Sequence, residues 1–364
     1  MITDTLNYEF LALKSCTYLN TPATGLVSKE AREEQQNYLR NFDRQGSTYI
    51  DELEYPFKSD LKNKIATYFG CHFGQIGLVP SFSAGINYLL SGLYSLESVA
   101  YLKTDYPSLT LPLSLGTYNS IEIAPNEDGF YSEEKIITQC VETGVRFLFL
   151  SHVQYNSGQK LDIEFIGAKL KAHEIFIIVD STQSAGNSDF NFSKSNISCA
   201  IMSCYKWLNA GFGSGIILAK ESFLSALDIK TGGFTAVLWK ENSNTVDRGL
   251  AQLQPGHVAP FALTGLSSAL DMHLKLKESN AHLIGKNLLS QFFESFPQIE
   301  NIVGNPDNDS YANFCCIRDK ERKLSGKLTN KNIVHTYRNG VVRLGFHFYN
   351  TEEDVEILIN AISS

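Results

Sequence analysis

Short apolar runs alternate with helix-type patterns through the first two thirds of the chain. The runs predict strands at 76–79, 99–102, 120–124, 147–151, 175–179, 199–203 and 215–218. Between them, apolar residues recur every three or four positions, which predicts helices at 84–94, 133–142 and 163–173. Continuously apolar strands separated by helices are typical of a mainly parallel sheet with both faces covered. We therefore expect a doubly wound α/β domain from about 50 to 250.

The pattern changes near residue 265. Two helices are predicted at 266–279 and 282–296, two strands at 312–317 and 341–344, and a terminal helix at 351–362. We expect an N-terminal arm at 1–15, a large domain at 16–260 and a smaller α+β domain at 261–364. The segment 16–50 could pack with the smaller domain.

Composition narrows the function classes. The 364 residues are 43% hydrophobic and 19% charged, with a net charge of −8, so the overall field does not attract nucleic acid or an anionic membrane. No apolar run approaches the ~20 residues of a membrane span, and residues 1–4 do not resemble a signal peptide. Seven scattered cysteines without a CxxC pair indicate neither disulfides nor zinc. We expect a cytoplasmic, metal-free protein.

An aspartate and a lysine each follow a predicted strand. Asp180 ends the run 175–179, and Lys206 follows the run 199–202 between Tyr205 and Trp207. Ligands of open α/β sheets bind at the carboxyl ends of strands. A lysine that forms a Schiff base and a carboxylate that holds a pyridine nitrogen protonated are what a pyridoxal phosphate enzyme requires. A loop aspartate and a solvated lysine are the alternatives.

Two further segments carry candidate anion-binding groups. Ser81-Phe82-Ser83-Ala84-Gly85 precedes a predicted helix, whose free N–H groups suit a phosphate, although a serine there can also be a simple helix cap. Arg343 lies within the apolar strand 341–344. It could clamp a carboxylate through two hydrogen bonds or form a buried structural ion pair.

Together these segments resemble the class V aminotransferase family of pyridoxal phosphate enzymes, of fold type I. The resemblance runs from about 15 to 362. It rests on the segments Tyr18–Gly25, Asp180–Gln183, Ser203–Lys206 and Arg343 followed by Tyr349–Asp354. It implies an α/β fold with a large doubly wound domain and a smaller α+β C-terminal domain, pyridoxal 5'-phosphate as cofactor, and a homodimer with a shared active site.

The resemblance implies a role for each matching residue at the cofactor. Lys206 would be the Schiff-base lysine and proton shuttle, Asp180 would pair with the pyridine nitrogen, and Gln183 with the phenolic oxygen. Tyr106 falls where the family stacks an aromatic or histidine ring on the cofactor. The phosphate positions are matched by Phe82, Ser83, Ser203 and Tyr205.

The substrate side and the subunit contact are implied in the same way. Arg343 matches the arginine that binds the substrate carboxylate, and Asn20 is a further candidate for the substrate side. In the stretch before that arginine, His335, Tyr337 and Arg338 are candidates for substrate selectivity, with an ordinary exposed loop as the alternative. His257 stands where relatives carry a threonine that reaches the phosphate of the neighbouring subunit. This histidine departs from the family pattern.

The family includes cysteine desulfurases, selenocysteine lyases, kynureninases, isopenicillin N epimerase-like proteins and transaminases. The desulfurase branch carries a persulfide cysteine shortly before the arginine, where the stretch 333–342 has none; Cys315 and Cys316 are expected in the core. Kynureninases usually have histidine where Gln183 stands. We therefore expect an aminotransferase acting at the α-carbon of a small amino acid, with a keto acid as its second substrate. A lyase, an epimerase and a non-catalytic relative are the alternatives. A dinucleotide-binding enzyme is not favoured, because the first predicted strand is not followed by a G-x-G-x-x-G turn.

Overall fold

The computed structural model describes residues 8–52, 56–239, 245–296, 301–304 and 310–363. The strands, numbered along the chain, are β1 (Thr17–Tyr18), β2 (Ile76–Val79), β3 (Ser98–Leu102), β4 (Asn119–Ile123), β5 (Phe147–Ser151), β6 (Phe176–Asp180), β7 (Cys199–Ser203), β8 (Gly215–Ala219), β9 (Val237–Leu238), β10 (Thr245–Val246), β11 (Phe314–Arg318), β12 (Ile333–Val334), β13 (Thr336–Arg338) and β14 (Val341–Gly345). The helices are α1 (Lys29–Gln45), α2 (Ser47–Glu52), α3 (Lys58–Phe69), α4 (Phe82–Leu90), α5 (Pro107–Leu115), α6 (Glu133–Thr143), α7 (Ile163–Leu170), α8 (Glu221–Leu224), α9 (Pro260–Glu278), α10 (Ile284–Ser295), α11 (Lys323–Asn330) and α12 (Glu352–Ser363).

A seven-stranded sheet in the order β2-β8-β7-β6-β5-β3-β4 forms the centre of the molecule. Strands β3 to β7 pair in parallel, while β8 runs antiparallel to both β7 and β2. The predicted mainly parallel sheet is confirmed. Strand β8 returns directly beside β7, so that Ser203 pairs with Gly215. The loop between these two strands contains Lys206 and lies at the edge of the sheet where β6 also ends.

Apolar residues cover both faces of this sheet, as the continuously buried strands require. One face packs against α3, α6, α7 and α9, and the other against α4 and α5. Phe82 and Ile86 of α4 are buried on the second face beside Ile201 of β7. This packing fixes the first turn of α4 close to the ends of the central strands.

A smaller antiparallel sheet, in the order β11-β14-β13, packs with α10 and α12 around a separate core. The N-terminal segment packs against this core through Leu19, and β1 forms a separate two-stranded parallel sheet with β12, in which Thr17 pairs with Ile333. Helix α9 packs against α1 and α3, and its buried leucines belong to the core of the large sheet. The predicted boundary at residue 260 remains a prediction.

Several element limits differ from the sequence prediction. Helix α4 begins at Phe82 rather than at 84, because the hydroxyl of Ser81 caps it. Helix α9 begins at Pro260, six residues before the predicted start, because proline suits the first position of a helix. Strand β13 was not predicted. Within the ranges given above, no helix has the length and apolar character needed to cross a membrane.

Candidate active site

A cavity of about 80 Å³ lies at the carboxyl ends of β6 and β7. It brings together the predicted residues Asp180, Gln183, Lys206 and Tyr106 with the hydroxyl-rich start of α4. The lining residues are Ser81, Phe82, Ser83, Tyr106, Ser151, Tyr155, Asp180, Thr182, Gln183, Ser203, Tyr205 and Lys206. Residues up to 125 positions apart in sequence (206 − 81) therefore meet at one edge of the sheet.

Lys206 is buried, with only 6% of its surface exposed. Its Nζ lies 5.4 Å from the centre of the Tyr106 ring and 5.7 Å from the centre of the Tyr205 ring. Within the described part of the chain, Nζ makes no hydrogen bond. Burial lowers the pKa of the amine, and the positive charge of Arg343 lowers it further, while Asp180 acts in the opposite direction. The site therefore favours a neutral, nucleophilic amine.

The loop that carries Lys206 is held by the N-terminal segment. Gly25 N donates a hydrogen bond of 2.9 Å to Tyr205 O. A Cβ atom at Gly25 would lie only 1.8 Å from Lys206 O, so a side chain at this position would displace the loop. Residues 18–25, predicted as part of the family pattern, thus support the lysine through the backbone.

Asp180 is the last residue of β6 and is also buried. Its Oδ1 accepts a hydrogen bond of 2.8 Å from Thr182 N. Burial raises the pKa of this carboxyl, while the hydrogen bonds from Thr182 and the charge of Lys206 lower it. A cationic group in the cavity would further favour the ionised form.

The side-chain amide of Gln183 is fixed from two directions. Its Nε2 donates to Pro22 O at 2.9 Å, and its Oε1 accepts from Trp207 Nε1 at 2.7 Å. Because the NH₂ group has two hydrogens, one N–H remains for the cavity that Gln183 lines.

Hydroxyl groups surround the first turn of α4. Ser203 Oγ accepts from Phe82 N at 2.8 Å, and Ser81 Oγ accepts from Ala84 N at 3.2 Å. Ser83 Oγ donates to Ser108 Oγ at 2.9 Å. A helix N-terminus with several hydroxyls provides donors for an anion such as a phosphate.

Three further residues at the site, Ser151, Tyr155 and Asp105, were not predicted from the sequence. Ser151 ends β5, and its backbone N–H donates to the buried Asp105 carboxylate at 2.7 Å, which also accepts from Tyr106 N at 2.7 Å. Asp105 therefore links the ends of two neighbouring strands beneath the cavity. The rule that selected Asp180, a polar residue at the carboxyl end of a buried strand, also selects Ser151.

A second cavity, of about 250 Å³, shares Tyr155 with the first. Its walls are Tyr155, Asn156, Cys316, Thr336, Arg338, Asn339, Val341 and Arg343. Arg343 is 8% exposed and donates through Nη1 to Tyr155 O at 3.1 Å, while its buried Nε has no partner. Within the described ranges no carboxylate forms an ion pair with Arg343, so the structural ion pair considered above is not found there.

Four predicted residues lie outside both cavities, since Tyr337 lines neither of them. His335 is turned away, because its Nε2 is hydrogen-bonded to Ser325 Oγ at 2.8 Å and its Nδ1 to Ile333 O at 2.9 Å. Asn20 lies behind Thr336, which lines the second cavity, and its Oδ1 accepts a hydrogen bond of 2.5 Å from Thr336 Oγ1. His257 is exposed on the surface, 5.8 Å from the Phe234 ring, so it does not reach the cavity of its own chain.

A family model for class V aminotransferases matches residues 17–358, which contain every group described above. The chain belongs to the class V aminotransferase family. Pyridoxal phosphate is its cofactor, and the predicted α/β fold of type I is confirmed.

Curated relatives of this family member differ in activity. The chain is 21% identical over 365 residues to an uncharacterized aminotransferase of Bacillus subtilis, covering 98% of this chain and 96% of the relative. It is 24% identical over 378 residues to a kynureninase of Bacillus cereus, covering 95% and 87%. The apo structure of a cysteine desulfurase from Thermococcus onnurineus NA1 has a TM-score of 0.88, covers 100% of this chain and 97% of that one, and is 17% identical. At that identity the likeness concerns the fold alone.

The residues of the first cavity fit pyridoxal phosphate. They supply an amine without a hydrogen-bond acceptor in the described part of the chain, a buried carboxyl, an oriented amide N–H and a helix start rich in hydroxyls. In this order, they have the chemistry needed to bind the aldehyde, the ring nitrogen, the phenolic oxygen and the phosphate of the cofactor.

Proposed function

We propose that this protein is an aminotransferase that acts at the α-carbon of an amino acid. The observation that carries the proposal is the state of Lys206. It is the one lysine among the residues that line the two cavities, and both burial and Arg343 lower the pKa of its amine. A single neutral base beside the substrate is sufficient to take a proton from the α-carbon and return it elsewhere.

Pyridoxal phosphate, when bound, supplies an electron sink for the breaking of bonds at the α-carbon. Lys206 would hold the cofactor and could serve as the base, and Asp180 would keep the ring nitrogen protonated. Gln183 would offer its remaining N–H to the phenolic oxygen, and Tyr106 would cover the ring. The start of α4, with Phe82, Ser83, Ser203 and Tyr205, would hold the phosphate.

Arg343 binds the α-carboxylate of the substrate. Its guanidinium is buried, one arm is already held by Tyr155 O, and its Nε lacks a partner. A buried cation without a counter-ion is costly, so a carboxylate that pairs with it through two hydrogen bonds is strongly favoured. This orientation presents the α-hydrogen to Lys206.

Incubation of the cofactor-loaded protein with amino acids alone tests the proposal. In the absence of a keto acid, we expect about one equivalent of keto acid per subunit, and conversion of the cofactor to its amine form; an added keto acid should restore the visible absorption band. Continuous release of ammonia, sulfide or alanine without consumption of the cofactor would show a lyase. Racemisation of the amino acid alone would show an epimerase.

A lyase is the second candidate, because several kynureninases of the genus Bacillus match 95% of the chain. The same incubation with kynurenine, followed by detection of anthranilate, distinguishes the two. The amide of Gln183, which is fixed between Pro22 and Trp207, is neither an acid nor a base near neutral pH, unlike the histidine that kynureninases usually have there. This difference favours the aminotransferase.

Cys316 is expected to be chemically inert, which argues against a persulfide mechanism. It lies opposite Arg343 in the small sheet, and burial raises the pKa of its thiol to about 12. The thiolate fraction at pH 7 is then on the order of 10⁻⁵. We expect iodoacetamide to leave Cys316 unmodified in the native protein and to label it after unfolding in urea, as read by peptide mass spectrometry. Rapid labelling of the native protein, or a persulfide on Cys316 after incubation with cysteine, would contradict this expectation.

We further propose a homodimer whose interface includes the aromatic surface around His257. Phe234 and Trp239 are 62% and 61% exposed, their rings lie 5.5 Å apart, and His257 lies beside Phe234. Such a cluster is unusual for a free surface and typical of an interface. In a dimer, His257 could reach the phosphate of the partner chain.

Phe234→Asp should therefore weaken the dimer by at least about tenfold in Kd, since it places a charge among interface aromatics. Light scattering after size-exclusion chromatography measures this change. Leu96→Asp, at an exposed leucine outside the aromatic cluster, is the control and should leave the mass unchanged. A wild-type protein that is monomeric at micromolar concentration would rule out the dimer.

A further inference from the structure

A second arginine faces the cavity that contains Arg343. Arg338 lies in β13 directly opposite Val341 of β14, and Arg343 follows two residues later on the same face of that strand. Residues at such diagonal positions lie roughly 7–8 Å apart, with their Cβ atoms somewhat closer. Both arginines line the same cavity, Arg343 buried within its wall and Arg338 exposed at its rim.

The hairpin between the two strands fixes the position of Arg338. Asn339 and Gly340 form a two-residue turn with φ values of 51° and 76°, as in tight hairpins. Side chains alternate along β13, so Thr336 and Arg338 face the cavity while Tyr337 faces the opposite side. There, the Arg322 guanidinium lies 4.3 Å from the centre of the Tyr337 ring.

The second cavity contains positive charge without a counter-ion. Its walls include Arg338 and Arg343 but no aspartate or glutamate. Within the described ranges neither arginine forms an ion pair. Each guanidinium lowers the pKa of Lys206, so both act electrostatically on the reaction centre. Two unpaired cations at this separation repel each other, and a ligand with two anionic groups would remove the repulsion.

We propose that the substrate is an acidic amino acid, whose side chain carries a second anionic group bound by Arg338. Arg343 holds the α-carboxylate, Arg338 the side-chain carboxylate, and the cavity of about 250 Å³ accommodates the carbon chain between them. The inference rests on the proposed function, and it extends to the dicarboxylic keto acid that would accept the amino group. Asn339 and Asn156 add neutral donors to the same walls.

Matched pairs of acids and amides test this inference. Aspartate and asparagine, or glutamate and glutamine, have nearly the same shape and differ in one charge. Spectral titration of the cofactor-loaded protein should show that at least one acid binds about 10- to 100-fold more tightly than its amide, as expected for a charge-assisted pair. Arg338→Gln should reduce this ratio to within about twofold by weakening the binding of the acid, and Arg338→Lys should retain part of it.

Arg322→Gln is the matched control, because it removes an arginine that precedes α11 and packs against Tyr337 on the opposite face of β13. It should leave the ratio of acid to amide binding unchanged. Equal binding of acid and amide by the wild-type protein, or a preference that survives Arg338→Gln, would overturn the inference.

A binding measurement without turnover separates this inference from the proposed function. Glutarate should raise the melting temperature of the wild-type protein more than its monoamide does, and Arg338→Gln should abolish the difference. If this holds while no amino acid is converted to a keto acid, the dicarboxylate site stands and the aminotransferase proposal fails. If amino acids are converted but glutarate and its monoamide act equally, the dicarboxylate site fails alone.

Discussion

Lys206→Ala should abolish covalent attachment of pyridoxal phosphate and lower turnover by at least about 10³-fold, because the variant lacks both the attaching amine and the base. The phosphate, ring and carboxyl contacts remain, so the cofactor should still bind without a covalent link. A small amine such as methylamine should restore part of the rate, since it can enter the space vacated by the side chain.

Lys103→Ala is the control for this experiment. Lys103 also follows a strand of the large sheet, but its side chain is exposed and its Nζ lies 3.6 Å from Glu122. The control should keep wild-type spectra and turnover. Covalent cofactor or undiminished turnover in Lys206→Ala would contradict the assignment.

Asp180→Asn is expected to lower kcat by about 10²- to 10⁴-fold while the cofactor stays attached. The amide has the shape of the carboxyl but cannot hold the pyridine nitrogen protonated, so the electron sink is weakened. Asp180 also raises the pKa of Lys206. Its replacement should therefore lower the pKa of the amine, and the cofactor should attach at lower pH in the variant than in the wild-type protein.

Absorption spectra of apoprotein mixed with cofactor across a pH series measure that shift, and single-turnover kinetics measure the loss in rate. Asp228→Asn, which changes an exposed carboxylate beside Lys230, is the control. An unchanged kcat, or cofactor attachment that moves to higher pH, would exclude the role of Asp180.

The central sheet could be predicted because its strands are buried on both faces. The runs at 147–151 and 199–203 match β5 and β7 residue for residue. The antiparallel direction of β8 could not be predicted, since a buried strand has the same apolar pattern in either direction. Strand β13 is three residues long and partly exposed, and the Asn339-Gly340 turn was its strongest local signal.

The candidate site could be predicted where a polar residue directly ends a buried strand, as Asp180 ends β6 and Ser203 ends β7. The bond from Gln183 to Pro22, 161 positions away, depends on how the N-terminal segment folds back and has no local signal. His335 illustrates the opposite error. It is close in sequence to Arg338 and Arg343, but its ring is hydrogen-bonded to Ser325 of α11 instead of facing the cavity.

Identification of the lysine that carries the cofactor tests the role of Lys206. Reduction of the loaded protein with borohydride fixes the link between cofactor and lysine, and peptide mass spectrometry then locates it. We expect a phosphopyridoxyl group on the peptide that contains Lys206 and on no other peptide. A modified lysine elsewhere, or no modification in a protein that has been saturated with pyridoxal phosphate, would contradict it.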